Sequence, residues 1–172
     1  MISTSSSFKY LLNKYSTNEA ATLILKEINR FELEIESNKI KLSNINKSNY
    51  NLMLETSLTH IDYSDKMLAW CTQLKIKVKT KKHLCEKKLE RETIILNREI
   101  DQCQEIALMT SKTEKASMKS KILKEKLLNL QEDYDETKLD YETADAFVNE
   151  ISNFRESRYA YYQAVKNIQL EI

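Results

Sequence analysis

Residues 123–151 read LKEKLLNLQEDYDETKLDYETADAFVNEI. Within them Leu123, Leu127, Leu130, Tyr134, Thr137, Tyr141, Ala144, Val148 and Ile151 recur at alternating steps of four and three, without a miss. One face of an α-helix repeats at that interval, whereas a strand repeats every second residue. Sustained over successive heptads, the pattern is that of a helix whose apolar seam runs along a neighbour. After Ile151 the phase shifts by three residues to Phe154 and resumes through Arg158, Tyr161, Val165, Ile168 and Ile172. A slip of three is a stammer, which overwinds a supercoil locally. A helix over 112–171 would be about 90 Å long. It cannot bury its seam against itself, so it demands a second helix and, by its length, a second chain.

Two weaker stripes precede it. Ile24, Ile28, Phe31, Ile35, Leu42, Ile45 and Leu52 hold a heptad phase in which Asn38 and Asn49 fill skipped positions. Thr17-Asn18 can cap this helix, and Glu19 suits the positive end of its dipole. Residues 43–49 have poor helix propensity and read either as a connection or as a kink in a helix spanning 18–56. The second stripe covers 58–108: Leu58, Ile61, Met67, Cys71, Leu74, Val78, Cys85, Leu89, Leu96, Ile100, Cys103 and Ala107. Thr110-Ser111-Lys112-Thr113-Glu114 then places a Ser three residues before an acid, the capping pattern of a reversal near 109–112. Residues 1–16 are Ser-rich and lack a clear period, so they read as a flexible lead-in. The remainder, 17–172, reads as one helical domain.

Composition agrees with this reading. The 172 residues include no Gly and no Pro. Average usage is ~7% and ~5%, so roughly twenty would be ordinary. Those residues supply the left-handed and preset conformations of tight turns. A sandwich or βαβ array can hardly be built without them, but a fold with two or three reversals can. Charged residues make up 31% and hydrophobic ones 41%. The expected fold is therefore all-α, an elongated antiparallel coiled coil of two to three long helices, dimeric.

Net charge is only +1, so any electrostatic role rests on local segregation. Three scattered cysteines, Cys71, Cys85 and Cys103, make no disulfide framework and suit a reducing compartment. No secretory leader and no membrane-spanning window is legible, so the expected location is cytoplasmic. Basic residues crowd 74–91 (among them Lys75, Lys82 and Arg91), and acidic ones crowd 131–145 (among them Asp133 and Asp140). In an antiparallel hairpin turning near 109–112, position i meets about position 221 − i, and the two runs would flank one seam and fix its register. The lysines Lys112, Lys115, Lys119, Lys121, Lys124 and Lys126 oppose few acids, so positive charge is expected at the hairpin tip. An anionic lipid surface is one ligand for such a tip; the bland alternative is a solvated turn.

Nucleic acid is not expected. No basic region runs into a dimerising heptad, and no aromatics are interleaved with the basic run. Catalysis has little footing. His60 and His83 are the two histidines. His83 and Cys85 stand two apart, which on a helix do not face each other. No ligand spacing suggests a metal, and no Gly-rich loop exists to cradle a phosphate. The expectation is a protein that is not an enzyme and carries no cofactor.

Residues 58–90, LTHIDYSDKMLAWCTQLKIKVKTKKHLCEKKLE, and 149–172, NEISNFRESRYAYYQAVKNIQLEI, resemble the middle and last helices of the BAR region of sorting nexins. In the second stretch Ile151, Phe154, Arg158, Tyr162, Val165 and Ile168 carry the likeness. The resemblance implies a curved antiparallel dimer of three-helix coiled coils that binds and bends anionic endosomal membranes. The Lys112–Lys126 cluster would then lie at the tip. The alternative is a protein-only scaffold, tether or stalk subunit of a larger assembly, such as an export machine. In that case the tyrosines Tyr159, Tyr161 and Tyr162 are expected to contact another coiled-coil protein.

Overall fold

A computed structural model describes residues 6–37 and 49–168, with side chains described outside 34–37. Every element among them is helical: α1 (Ser6–Tyr15), α2 (Asn18–Ser37), α3 (Tyr50–Gln102), α4 (Gln104–Ala107) and α5 (Lys112–Ile168). The α3 and α5 helices form an antiparallel hairpin. By contacts the chain divides into two units, one of residues 1–77 with 143–172 and the other of 78–142.

The larger unit gathers α1, α2, the first half of α3 and the end of α5. Phe8, Leu11 and Leu12 of α1 are fully buried, at the i, i+3, i+4 spacing of an apolar helix face. The Phe8 ring meets Phe147 edge-on, with centroids 5.6 Å apart. A flexible lead-in was the expectation for 1–16, and from Ser6 onward the structure corrects it. Burial of three large side chains outweighs the poor propensity of the serines, at about 1.5–3 kcal/mol per side chain. The Thr17 hydroxyl accepts the Ala20 amide at 3.3 Å, which caps α2 as expected. Phe31 of α2 packs on Tyr63 at 5.2 Å, with the Lys66 ammonium 4.9 Å from the Phe31 ring. Tyr50, Met53 and Val165 close the core, with Leu54 and Tyr161 packed against them.

The boundary between the first two long helices also differs from expectation. Residues 50–56 belong to α3 and not to the preceding helix, while positions 43–48 lie outside the described residues. Leu52 and Leu58, expected in the seam, are exposed. In their place Met53, Ser57 and Ser64 are buried. The Ser57 hydroxyl donates to the Met53 carbonyl at 2.7 Å and that of Ser64 to the Ile61 carbonyl at 2.8 Å. A serine that bonds its own helix loses its polar penalty and lets a neighbour approach closely. The seam therefore passes beside Leu52 and Leu58, through Met53, Ser57 and Ser64.

The smaller unit is the distal part of α3, α4 and the first half of α5. Its turn begins at Cys103, whose backbone is extended (φ −71°, ψ 118°), so α3 stops short of the expected residue 108. Ala107, expected in the seam, is exposed, and Ile106 of α4 is buried instead. Ser111 then caps α5, its hydroxyl accepting the Glu114 amide at 3.3 Å. No described residue has positive φ. One extended residue and a four-residue helix make a reversal that a glycine would ordinarily make.

The stripe that opened the sequence reading is borne out by burial. Every residue from Leu123 to Ile151 in its four-three series is buried or half-buried, and so are Phe154, Arg158, Tyr161, Val165 and Ile168. Antiparallel register is read from the ion pairs. Arg155 bonds Asp65 and Lys75 bonds Asp145 in the larger unit, and Lys119 bonds Asp101 in the smaller. In each unit residue i lies beside about residue 220 − i.

Candidate functional site

The six tip lysines sit at the start of α5 and do not form one patch. Lys119 is held by the Asp101 carboxylate. The Lys115 ammonium donates to the Ala107 carbonyl at 2.9 Å and so satisfies the end of α4. Both side chains therefore secure the turn. Lys112, Lys121, Lys124 and Lys126 are exposed and hold no partner among the described residues. A helix turns about 100° per residue, so Lys112 and Lys121 point to opposite sides of α5. Exposed Glu99, Glu105, Glu114 and Glu125 surround the same stretch.

The basic and acidic runs neutralise each other less than their facing positions suggest. Lys75 pairs with Asp145, and the Lys82 ammonium lies 5.2 Å from the Tyr141 ring centroid. Lys79, Lys81, Lys87, Lys88 and Arg91 are exposed and have no ion pair among the described residues. Their side chains leave the helix away from the seam.

The three tyrosines divide in the same way. Tyr161 packs against the Tyr50–Met53–Val165 cluster, and burial raises its hydroxyl above the ordinary value while Arg158 pulls it back. Tyr159 and Tyr162 stack in a tilted pair at 6.3 Å, and Tyr159 is exposed. Beside them, the Arg158 guanidinium lies 4.8 Å from the Phe154 ring centroid. His60 titrates below its ordinary value, first because it is half-buried and second because Arg158 is near. Arg158 Nε is buried without a hydrogen bond among the described residues.

His83 lies 3.6 Å from Glu86 on its own helix, and Cys85 is half-buried with a free thiol. Among the described residues no group of three His, Cys, Asp or Glu side chains is placed to hold a metal. Nor is any described helix long and apolar enough to cross a membrane. Comparison of the chain with protein-family models, with curated proteins and with solved structures finds no match.

Proposed function

We propose that the chain is a non-enzymatic helical assembly subunit, a scaffold, tether or stalk that presents a helical arm to other coiled-coil surfaces. The exposed aliphatic surface of residues 78–142 carries this reading. Leu84, Ile94, Ile95, Leu108, Met118, Leu128 and Leu139 stand out from that unit. A single exposed leucine is ordinary. Aliphatics at helical spacing, flanked by charge, are what a partner helix covers. Such a subunit needs no cofactor, and its location is cytoplasmic. A photo-crosslinking residue at Leu84, Leu128 or Tyr159 in the native cell tests the reading. Adducts to protein are expected; adducts to lipid alone, or none, would count against it.

A second reading, a BAR-like dimer on anionic membranes, is favoured by the four lysines that no acid among the described residues holds. Each would contribute about 1 kcal/mol near such a surface. Their dispersal around α5 and the glutamates among them make it the weaker of the two. Co-sedimentation with phosphatidylserine vesicles decides it. Binding that Lys121→Glu with Lys124→Glu abolishes would support it; no binding at low salt would remove it.

A further inference from the structure

Two outward faces of the smaller unit carry the same pattern with opposite charge. On α3 the positions 81, 84, 88, 91, 95 and 98 step three, four, three, four, three and read Lys81, Leu84, Lys88, Arg91, Ile95 and Arg98. On α5 the positions 125, 128, 132, 135, 139 and 142 take the same steps and read Glu125, Leu128, Glu132, Asp135, Leu139 and Glu142. All twelve residues are exposed. The aliphatics are exposed by 60% at Leu84, 46% at Ile95, 54% at Leu128 and 63% at Leu139. The alternating three-four step keeps each set on one face of its helix.

The spacing fits as well as the charge. In each set the two aliphatics stand eleven residues apart, about 16 Å along the axis. Eleven residues make three turns at 3.67 per turn, so both aliphatics of a pair point nearly the same way. If Leu84 meets Leu139, then Ile95 meets Leu128. Lys88 then lies by Asp135, Arg91 by Glu132, Lys81 by Glu142 and Arg98 by Glu125. The cations hold no ion pair within the chain among the described residues. Of the acids, Asp135 accepts a hydrogen bond from Gln131 at 3.1 Å.

The two faces cannot meet within one chain, because α3 and α5 already join along their seam. We propose that the occupant of each face is the opposite face of a second copy of this chain, α3 of one protomer on α5 of the other. This rests on the assembly reading above and names its first partner. Two such contacts close a twofold dimer when the symmetry allows both at once. Charges that flank an aliphatic seam choose the partner as well as hold it.

The test is sedimentation velocity of the full chain across the micromolar range, with far-UV circular dichroism as the check on folding. The wild type is expected to self-associate. The pair K88E/R91E sets acids opposite Asp135 and Glu132 of the second copy, and the pair E132K/D135K sets bases opposite Arg91 and Lys88. Each variant alone is expected to lose association at least about 100-fold through like-charge contact. Mixed in equal amounts, the two should associate with each other. All four positions are exposed, so the variants should keep wild-type helicity. A wild type that stays monomeric would overturn the proposal. So would variants that associate alone as tightly as the wild type, or a mixture that does not associate. The crosslinking test can still succeed in each of those cases, with a different protein as the adduct.

Discussion

Cys71 is buried in the larger unit, and that burial, with the Glu150 carboxylate nearby, pushes its thiol up to about 12. The thiolate is the reactive form, so Cys71 should resist a disulfide reagent at pH 8 in the native protein. Cys85 and Cys103, both half-buried, should react first. Mass spectrometry after timed labelling checks this; early modification of Cys71 would mean that the seam opens readily. His60 supplies a second residue-scale prediction. Its folded value lies below the ordinary 6.5, mainly through burial and then through Arg158, so folding favours the neutral ring. Its contribution is fully present above pH 6.5 and is lost as pH falls through the folded value. Urea midpoints should therefore drop between pH 7.5 and 5.5, and His60→Gln should flatten that drop. An unchanged pH profile in the variant would show that other groups govern it. Neither environment is legible in the sequence. Cys71 was placed on a seam by periodicity, but its acidic neighbour comes from a helix about eighty residues away. The serines show the converse limit. Ser57 and Ser64 carry no apolar signal, and only their hydroxyl bonds to the preceding turn explain their burial.

At the scale of elements, α1 tests how far local propensity can be trusted. Its serine-rich start reads as a loop, yet Phe8, Leu11 and Leu12 are buried to within a few per cent. Tertiary burial sustains most short helices in proteins. Phe8→Ala should cost about 3–5 kcal/mol and lower the melting temperature by several degrees. Lys119→Ala should cost much less, because its Asp101 partner is well exposed and surface pairs contribute about 0–1 kcal/mol. Thermal melts of the two variants check the contrast, and comparable losses would deny α1 its structural role. The α5 stripe was legible because its four-three steps continue unbroken, and the Ser111 cap was legible because Glu114 follows at capping distance. The α3 start was not, because Leu52 and Leu58 mimic a seam that passes beside them. The charged faces at 81–98 and 125–142 were hidden for a related reason. Each holds only two aliphatics among four charges, so hydropathy alone reads it as solvated surface.

At the scale of the whole chain, the two units differ in how much core they own. The larger one buries Phe8, Leu11, Leu12, Ile28, Phe31, Met53, Met67 and Val165 among others. The smaller one, over residues 78–142, buries few side chains: Val78, Leu96, Ile100, Ile106, Thr137 and Asp140. A helix pair with a narrow seam has little to lose when it opens, and local opening free energy follows buried apolar contact. Amides around Leu89–Arg98 and Leu123–Tyr134 should therefore exchange with deuterium sooner than those around Met67–Leu74 and Ala144–Ile151. Self-association through the charged faces would add burial to the smaller unit alone. Its protection should then rise with protein concentration, while that of the larger unit stays constant. Hydrogen exchange at two concentrations reads both effects in one experiment. Equal protection of the two units at every concentration would show that the helix pair is held by more than its seam. A rise confined to residues 81–98 and 125–142 would place the second copy on those faces.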